Sequence, residues 1–389
     1  MTTTASLFTG GGLWDVGAKM AGFTPVWGVE IRPDIATWAE RNIPGLRVIV
    51  SDVAAVDYSS LPRVDHLHAS PSCKKASVAN SGGGESPEDI EAARAVCRAI
   101  EAVGPQSFTL ENVWGYREFE AFKLIVGQLV TLGYKLDWWH LNSADYGVPQ
   151  TRKRLILIAR KDRQPTRPQP THSDTPDAWG VYKPWIGWLE AIADLVDSLP
   201  DSEFAPWQLE RLPAELKSML LAQGSFDGEV VNRSIEEPAF TMTANSNQGG
   251  LRALLVPGDN GSNFTTVRSQ DEPMVTVQTR SLGQCPHRAF LVNKSADKFS
   301  DGVNYAESRA FSVVASSQGR YKAFVAMEPK RPARASVGRV VKMTPRALAR
   351  LQSVPDEYVL PDHNGLACEI IGNGVPCLLA KAICESLKD

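Results

Sequence analysis

Cys73 and Glu111 are the two side chains whose types and positions in this sequence indicate covalent chemistry. Cys73 closes the turn Pro71-Ser72-Cys73 after one apolar segment, and Glu111 begins a short polar run after another. A cysteine thiolate is a good nucleophile. A carboxyl group that faces a pyrimidine engages its N3 and exocyclic amine, which makes C6 electrophilic. The pair therefore fits attack on a pyrimidine ring, with the acid holding the substrate.

A cationic run, Gln150-Thr151-Arg152-Lys153-Arg154, opens a later apolar segment and supplies positive charge near the same predicted pocket. Each group taken alone also has a simpler explanation: a buried cysteine, a surface acid or a solvated arginine. Only their combination favours an active site.

A glycine-rich turn, FTGGG at positions 8–12, follows the first apolar segment and precedes a helical pattern. Glycines let the backbone approach a ligand closely, and a helix N-terminus favours polar or anionic groups. Glu30 ends the next apolar segment about twenty residues later, where an acid can hold ribose hydroxyls. Asp52 follows the third segment and could reach an adenine edge. Such turns serve many cofactors, and some are only tight turns.

The elements that must position these groups alternate between strand and helix patterns. The predicted strands are Ala5–Phe8, Val26–Glu30, Val48–Val50, His66–Ala69, Phe108–Leu110, Lys135–Asn142 and Leu155–Ala159. The predicted helices between them are Asp34–Arg41, Glu88–Glu101 and Glu118–Leu132. This alternation predicts an α/β fold, a doubly wound and mostly parallel Rossmann-like sheet with helices on both faces. Ligands of such sheets bind at the carboxyl ends of the strands.

The middle of the chain has a different composition. A proline-rich polar stretch at 164–176 indicates a linker. Beyond it, a pattern that begins at Arg233 recurs from Arg268 and, more weakly, from Asn304, and each copy closes with an apolar strand. Three such units predict a smaller β-rich domain. Its loops would carry recognition, and a purely structural β module is the alternative.

The C-terminal part returns to helical patterns. Thr344 can cap a helix that has Pro345 at its first position. The last predicted helix, Pro376–Leu387, is apolar on one face and could return to the first domain.

Composition limits the class of protein. Hydrophobic residues make up 43% and charged residues 22% of the 389 residues, as in soluble globular proteins. We find no run long enough for a membrane span and no secretory signal, so we expect a cytoplasmic protein. The cysteines form no CxxC pair and have no histidines at zinc spacing, so no metal site is predicted.

Charge patterning bears on nucleic acid as a partner. The net charge of −3 argues weakly against such a partner. Two basic runs, at 152–167 and 330–350, nevertheless flank the middle segment. They favour a cleft that contacts phosphates, because binding depends on a local basic face. Two solvated faces are the alternative.

In this order, the segments resemble the DNA cytosine-5 methyltransferase family over about residues 5–160 and 338–387. The motifs are FTGGG at 8–12 with Gly17, Glu30 and Asp52, Pro71-Ser72-Cys73, Glu111-Asn112-Val113, Gln150 to Arg154, Arg339 to Gln352, and Gly372-Asn373-Gly374-Val375-Pro376. The resemblance implies S-adenosyl-L-methionine as cofactor and S-adenosyl-L-homocysteine as product. It also implies that the variable middle segment reads the DNA sequence.

The resemblance also implies the residues of each site. The expected catalytic residues are Cys73, Glu111, Arg152 and Arg154. The expected cofactor contacts are Phe8, Thr9, Gly10, Gly12, Leu13, Glu30, Ile31, Asp52, Val53, Pro71, Asn373 and Val375. The expected DNA contacts are Lys74, Ser77, Asn80, Arg280, Gln284, Arg320 and Arg339.

The mechanism that the resemblance implies begins with a cytosine flipped out of the duplex. Cys73 attacks C6 while Glu111 supports charge at N3 and Arg152 orients the base. C5 then takes the methyl group, and loss of the C5 proton expels Cys73.

The implied organisation has three parts. Residues 1–165 form the catalytic domain that uses S-adenosylmethionine, 166–335 the target-recognition domain, and 336–389 a segment that returns to the catalytic domain. We expect a monomer from the cytoplasm of a prokaryote or from a phage, acting on double-stranded DNA without a membrane. A cognate restriction endonuclease is a candidate partner.

Three rival functions explain fewer of these residues. An RNA cytosine-5 methyltransferase shares the motifs, but the long middle segment favours a DNA reader. A catalytically inactive DNA-binding relative would not need Cys73, Glu111 and Arg152 together. A nicotinamide enzyme would use the glycine-rich turn and leave the other motifs unexplained.

Overall fold

The computed structural model describes residues 1–71, 84–175, 181–202, 219–223, 230–234, 252–254, 303–304, 323–325, 339–341 and 343–388. Within these ranges the chain divides into two compact units. The first comprises 1–146, 153–170 and 374–389, and the second comprises 147–152 and 171–373. The domain boundaries predicted from the sequence, at 165/166 and 335/336, stay predictions.

Seven strands form the central sheet of the first unit. They are β1 (Thr3–Leu7), β2 (Thr24–Glu30), β3 (Arg47–Val50), β4 (His66–Ala69), β5 (Ser107–Asn112), β6 (Lys135–Asn142) and β7 (Lys153–Arg160). Their order is β3-β2-β1-β4-β5-β7-β6. The pairs among β1 to β5 are parallel, and β7 runs antiparallel to both β5 and β6. The strand order reverses between β1 and β4, which is where ligands of such sheets bind.

The helices are α1 (Leu13–Met20), α2 (Pro33–Asn42), α3 (Pro87–Val103), α4 (Glu120–Thr131), α5 (Trp188–Ile192), α6 (Pro345–Leu351), α7 (Asn364–Asn373) and α8 (Cys377–Ser386). Successive side chains of β7 point to opposite faces of the sheet, and the core of the first unit accordingly has two layers. Leu157 lies in the layer with α3 and α4, whereas Ile156 and Ile158 lie in the layer with α1 and α8. The predicted fold class, a mostly parallel Rossmann-like sheet, is confirmed.

Helix α3 shows how local sequence fixes the crossover from β4 to β5. Ser86 and Asp89 form a capping box, and Pro87 occupies the first turn. Gly104, with φ of 60°, ends the helix in a left-handed conformation. Because this helix returns the chain to the start of a parallel strand, the carboxyl ends of β4 and β5 meet at one edge of the sheet.

The second unit contains a sheet of short strands and the helices α5, α6 and α7. The strands are β10 (Asp201–Ser202), β11 (Met219–Gln223), β12 (Val230–Ser234), β13 (Arg252–Leu254), β14 (Val303–Asn304), β15 (Ala323–Val325) and β16 (Arg339–Val341), with a separate pair β8 (His172–Ser173) and β9 (Lys183–Pro184). The sheet order is β10-β16-β13-β11-β12-β14, and β15 also pairs with β16. The apolar segments that close the first and third repeats contribute β13 and β15, and both pair with β16.

One apolar helical stretch among these residues, Asn364–Ser386, is long and hydrophobic enough to cross a membrane, with a mean hydropathy of 1.5. It comprises two helices, α7 and α8, and residues 374–376 separate them. Leu379 and Ile383 of α8 are fully buried in the core of the first unit. Core helices of soluble proteins have the same composition, so the predicted absence of a membrane stays a prediction.

Candidate active site

Glu111 is held at the carboxyl end of β5 by its neighbours from two other strands. Ala69 at the end of β4 pairs with Leu110, so the next residue, Ser70, lies beside Glu111. The Ser70 hydroxyl donates a hydrogen bond of 2.8 Å to Glu111 Oε2. Arg154 Nε, from the start of β7, lies 3.0 Å from Glu111 Oε1. Glu111 and Arg154 are both buried.

The two oxygens of Glu111 differ in what they offer a ligand. Oε2 already accepts the Ser70 hydroxyl, whereas Oε1 is close to the Arg154 charge without a hydrogen bond to any residue that the structure describes. Burial lowers the pKa of the Arg154 guanidinium, and the Glu111 carboxylate opposes that shift. Glu111 therefore has one oxygen that pairs only with Arg154 among the described residues and keeps a lone pair for a polar ligand edge.

Asn112 ties this carboxyl group to the turn predicted to hold the nucleophile. Its Nδ2 donates a hydrogen bond of 3.0 Å to the carbonyl of Pro71, and its Oδ1 accepts one of 2.8 Å from the Val113 amide. Pro71 is buried beside the end of β4. Cys73, and with it Lys74, Ser77 and Asn80, lies outside the described residues.

Arg152 and Arg154 belong to different compact units, although only Lys153 separates them in the chain. Arg152 is buried, and its Nη1 donates a hydrogen bond of 3.0 Å to the carbonyl of Gly372. The structure thus places Arg154 on Glu111 and fixes Arg152 against the end of α7. The predicted orientation of a base by Arg152 stays a prediction.

The turn at 8–12 has the backbone of a ligand-binding loop. Phe8, Gly10 and Gly12 have φ values of 60°, 55° and 79°, in the left-handed region that favours glycine. A Cβ at Gly12 would lie 2.6 Å from Ile43 Cδ1, so this position needs glycine for space as well. A Cβ at Gly10 would meet nothing within 4 Å. The loop is therefore packed against Ile43 at Gly12, whereas the space beside Gly10 is open.

Glu30 fastens this loop to the end of β2. Its Oε2 accepts the amide of Gly10, and its Oε1 accepts the amide of Arg32, both at 2.9 Å. Each carboxylate oxygen has a second lone pair. Glu30 can therefore hold the loop and accept hydroxyl groups of a ribose at the same time.

The next loops supply an apolar surface and a second acid. Ile31, directly after Glu30, is 62% exposed. Asp52 is exposed, and its Oδ1 accepts the amide of Ala54 at 2.8 Å. The Ser51 amide bonds to the Glu30 carbonyl at 3.1 Å, which joins the two loops. The space beside Gly10, the Glu30 carboxylate and the apolar side chain of Ile31 follow one another along these loops. Together they suit a ligand with a ribose and an aromatic base.

Residues 2–389 match the family described as C-5 cytosine-specific DNA methylase. The chain belongs to this family. Type II methyltransferase M1.HphI of Haemophilus parahaemolyticus is 25% identical over 400 residues, covering 99% of this chain and 86% of that protein. Type II methyltransferase M.MthTI of Methanothermobacter thermautotrophicus is 23% identical, covering 99% and 96%.

Solved structures share the architecture of this methylase chain. The S. pombe Dnmt2 methyltransferase has a TM-score of 0.58 with 13% identity, covering 100% of this chain and 98% of that one. At that identity the likeness shows the fold alone. The resemblance drawn from the motifs is confirmed by the family match.

The residues predicted to contact the cofactor differ in how far their side chains are buried and in the compact unit to which they belong. Leu13 and Val53 have buried side chains, so any contact from them uses the backbone. Thr9 and Val375 are buried in the first unit, whereas Asn373 ends α7 in the second unit. Their predicted contacts with the cofactor stay predictions.

The predicted DNA contacts lie mostly beyond the structure's coverage. Arg280, Gln284 and Arg320 fall outside the described ranges. Arg339 is the first residue of β16, where its backbone pairs with Val325 of β15.

Sequence reasoning missed the residues that support these sites. Asn112 lies in the motif Glu111-Asn112-Val113 without an assigned role, and Ser70 directly precedes the turn Pro71-Ser72-Cys73; the register of β4 and β5 places Ser70 beside Glu111. Ser6 and Asp15 were not singled out. Asp15 is fully buried and accepts a hydrogen bond of 2.9 Å from the Ser6 hydroxyl.

Two buried histidines lie on β4 in the same layer. Ser107 and Thr109 contact the two rings, both Nδ1 contacts being 2.9 Å, and Trp14 stacks on His68. Burial lowers the pKa of His66 to about 3 and that of His68 well below its usual value. Both rings therefore stay neutral near pH 7 and act as polar parts of the core.

Proposed function

We propose that this enzyme transfers the methyl group of S-adenosyl-L-methionine to C5 of a cytosine in double-stranded DNA at a specific sequence. The observation that supports it most is Glu111, which is buried between Ser70 and Arg154 beside the turn that leads to Cys73 and keeps lone-pair capacity on Oε1. The family match fixes the reaction class, and this pocket supplies a holder for the cytosine ring.

The glycine loop and the ends of β2 and β3 are the proposed cofactor site. Gly10 leaves open space, Glu30 would accept ribose hydroxyls, Ile31 would contact the adenine face and Asp52 its edge. The bound cofactor supplies an electrophilic methyl group, and S-adenosyl-L-homocysteine is the product.

Replacing Glu30 with alanine is expected to weaken binding of S-adenosyl-L-homocysteine. The variant loses the carboxylate that joins Gly10 to the ribose, and a lost hydrogen bond to a buried partner costs about 1–3 kcal/mol. Isothermal titration measures the change. Glu40→Ala is the matched control, because Glu40 also accepts a backbone amide, that of Val48, away from the loop. Equal affinities in the two variants would reject the assignment.

The proposed chemistry starts when the cytosine leaves the base stack and enters the pocket. The Cys73 thiolate forms a bond to C6, the C5=C6 electron pair shifts toward N3, and a proton held between the Glu111 carboxyl group and N3 neutralises the negative charge that develops there. C5 becomes nucleophilic and takes the methyl group. Loss of the C5 proton then restores the double bond and expels the thiolate. In this sequence of steps Arg154 fixes the Glu111 carboxylate and Arg152 orients the base.

The segment 166–335 is the proposed reader of the DNA sequence. Its repeats would present Arg280, Gln284 and Arg320 to base edges, since Arg suits guanine and Gln suits adenine. The relatives named above are called Type II methyltransferases, so we infer a restriction-modification role with a cognate endonuclease. Cytoplasmic location and a monomeric state complete the proposal.

Grafting the segment 166–335 into a family member with a different target is expected to transfer target choice. The physical reason is that specificity lies in contacts to base edges, whereas the catalytic pocket contacts one cytosine. Sequencing bisulfite-treated plasmid DNA from cells that express the chimera identifies the methylated site. A graft of 1–165 alone is the control. Specificity that followed this control segment would contradict the proposal.

Bisulfite sequencing of DNA from cells that express the native chain tests the function as a whole. We expect cytosines within one recognition sequence to resist conversion by bisulfite. Mass spectrometry of nucleosides should identify them as 5-methylcytosine. Methylation of the exocyclic amine, or of transfer RNA but not DNA, would overturn the assignment.

A further inference from the structure

A buried hydrogen-bond network that includes the hydroxyl groups of Thr9 and Ser6 holds the glycine loop, residues 8–12. Thr9 lies in the loop, its amide donates to the Val29 carbonyl at 3.0 Å, and its Oγ1 lies 3.0 Å from the Ser6 carbonyl and 3.2 Å from that of Val29. Ser6 Oγ is 3.0 Å from Thr9 Oγ1. Gly28 carries no side chain and so leaves the space that Thr9 Oγ1 occupies. Thr9 is thus the point where the loop is fixed to β1 and β2.

Asp15 is the last member of this hydrogen-bond network, on the side away from the glycine loop. Its Oδ2 accepts the Ser6 hydroxyl at 2.9 Å, and the side chain is fully buried in the first two turns of α1. Its Oδ1 has no hydrogen-bond partner within the part of the chain that the structure describes, and no salt bridge to Asp15 is found there. A buried carboxyl group without a cation is costly when ionised. Its position therefore calls for a role beyond packing.

We infer that Asp15 is a positioning residue for the cofactor: through Ser6 and Thr9 it sets the glycine loop in the conformation that binds the adenosyl group. This inference depends on the proposed function, because it concerns the same cofactor site. Asp15 acts through two hydroxyl groups and needs no contact with the cofactor.

The proton on Asp15 decides the direction of the hydrogen bonds. When Asp15 is ionised it can only accept, so the Ser6 proton goes to Asp15 and Ser6 Oγ can no longer donate to Thr9. When Asp15 is protonated, it can donate to Ser6, Ser6 can donate to Thr9, and Thr9 can donate to the Val29 carbonyl. The protonated state therefore adds a hydrogen bond from Ser6 to Thr9 Oγ1 while Thr9 donates to β2, and cofactor affinity should be higher in that state.

Burial raises the pKa of Asp15 from its ordinary 3.8 to about 7, although the hydrogen bond from Ser6 opposes the shift. Cys384 on α8 interacts with the charge of Asp15, and the histidines of β4 lie against Trp14, the residue before Asp15. Burial raises the pKa of Cys384 and lowers that of His66 and His68, so none of these three changes charge near pH 7. Of these four described groups, Asp15 is the one that titrates there.

The same shift gives the direction of the effect on stability. Because the folded pKa of Asp15 lies above the unfolded value, its contribution is fully present below about pH 4 and is lost as the pH rises through about 7. Asp15→Asn carries no titrating group and should flatten this part of the stability profile.

The test measures binding of S-adenosyl-L-homocysteine by calorimetry from about pH 6 to about pH 8.5. The native chain should lose about threefold to tenfold in affinity over this range, the value of one hydrogen bond. Asp15→Asn should lose much less. Ser6→Ala should also lose the pH dependence of binding, while its thermal stability keeps the pH dependence that Asp15 causes. Asp137→Asn makes the same chemical change on an exposed residue of β6 and should behave as the native chain.

The outcomes separate the inference from the proposed function. Equal pH dependence of binding in the native chain, Asp15→Asn and Ser6→Ala would overturn the role of Asp15 while leaving the cofactor site in place. Absence of binding by the folded native chain at every pH would instead overturn the proposed cofactor site.

Discussion

Replacing Glu111 with glutamine is expected to lower the single-turnover rate of methyl transfer by about 10²–10⁴-fold, the usual contribution of a positioned acid or base. Glutamine has nearly the same shape and can still contact Ser70. Its amide cannot exchange a proton with N3 of the cytosine as a carboxyl group can, and it leaves the buried Arg154 without a counter-ion. The affinity for S-adenosyl-L-homocysteine should change little, because Glu30 and Gly10 are unaltered.

Glu118→Gln is the matched control for this measurement. Glu118 forms an exposed salt bridge with Arg117 only seven positions further along the chain, at a distance of 2.7 Å. Its loss should leave the rate within about twofold, since exposed ion pairs contribute little. Thermal denaturation checks that Glu111→Gln is folded at the assay temperature. A folded Glu111→Gln variant with the native rate would show that Glu111 does not hold the cytosine.

Replacing Cys73 with alanine is expected to abolish methylation while DNA binding persists. Without the thiolate no bond forms at C6, and C5 of cytosine is too weak a nucleophile to take the methyl group. The loss should exceed that of Glu111→Gln, because a covalent step disappears entirely. Methylation is measured by transfer of a labelled methyl group to duplex DNA, and binding by a gel shift.

Cys97→Ala is the control for the loss of a thiol. Burial raises the pKa of Cys97 to about 11, so this thiol is protonated and unreactive near pH 7. Cys377 and Cys384 are fully buried, and their pKa values are raised as well. Methylation by Cys97→Ala should therefore equal that of the native chain. Turnover that survived in Cys73→Ala would contradict the proposed mechanism.

The sheet of the first unit was largely predictable because its strands are short apolar runs with clear breaks. His66–Ala69 and Lys135–Asn142 are strands over the predicted residues, and the others differ by a few residues at their ends. The antiparallel direction of β7 was not predicted, because the residues between β6 and β7 do not reveal the direction of the return. Helix α7 was also missed, since its residues have no clear apolar face.

The candidate site residues could be predicted because they lie at the carboxyl ends of strands, where ligands of such sheets bind. Glu30 ends β2 and Glu111 is the second-last residue of β5, and a carboxylate at such a position is a candidate to bind hydroxyl or amine groups of a ligand. The residues that hold them were not predictable in the same way. Asp15 meets Ser6 only because α1 turns back over β1, and Ser70 meets Glu111 only through the register of β4 and β5. A sequence without coordinates does not show such contacts.

A trapping experiment tests the central claim most directly. Fluorine at C5 blocks the proton loss that would release the enzyme, so a duplex with 5-fluorocytosine at its methylation site should retain the protein. With S-adenosyl-L-methionine present, the native chain should give an adduct that survives denaturation, and peptide mapping should place the bond at Cys73. Cys73→Ala should bind the duplex and give no adduct. An adduct at another residue, or its absence from a preparation that methylates the unmodified duplex, would contradict covalent catalysis by Cys73.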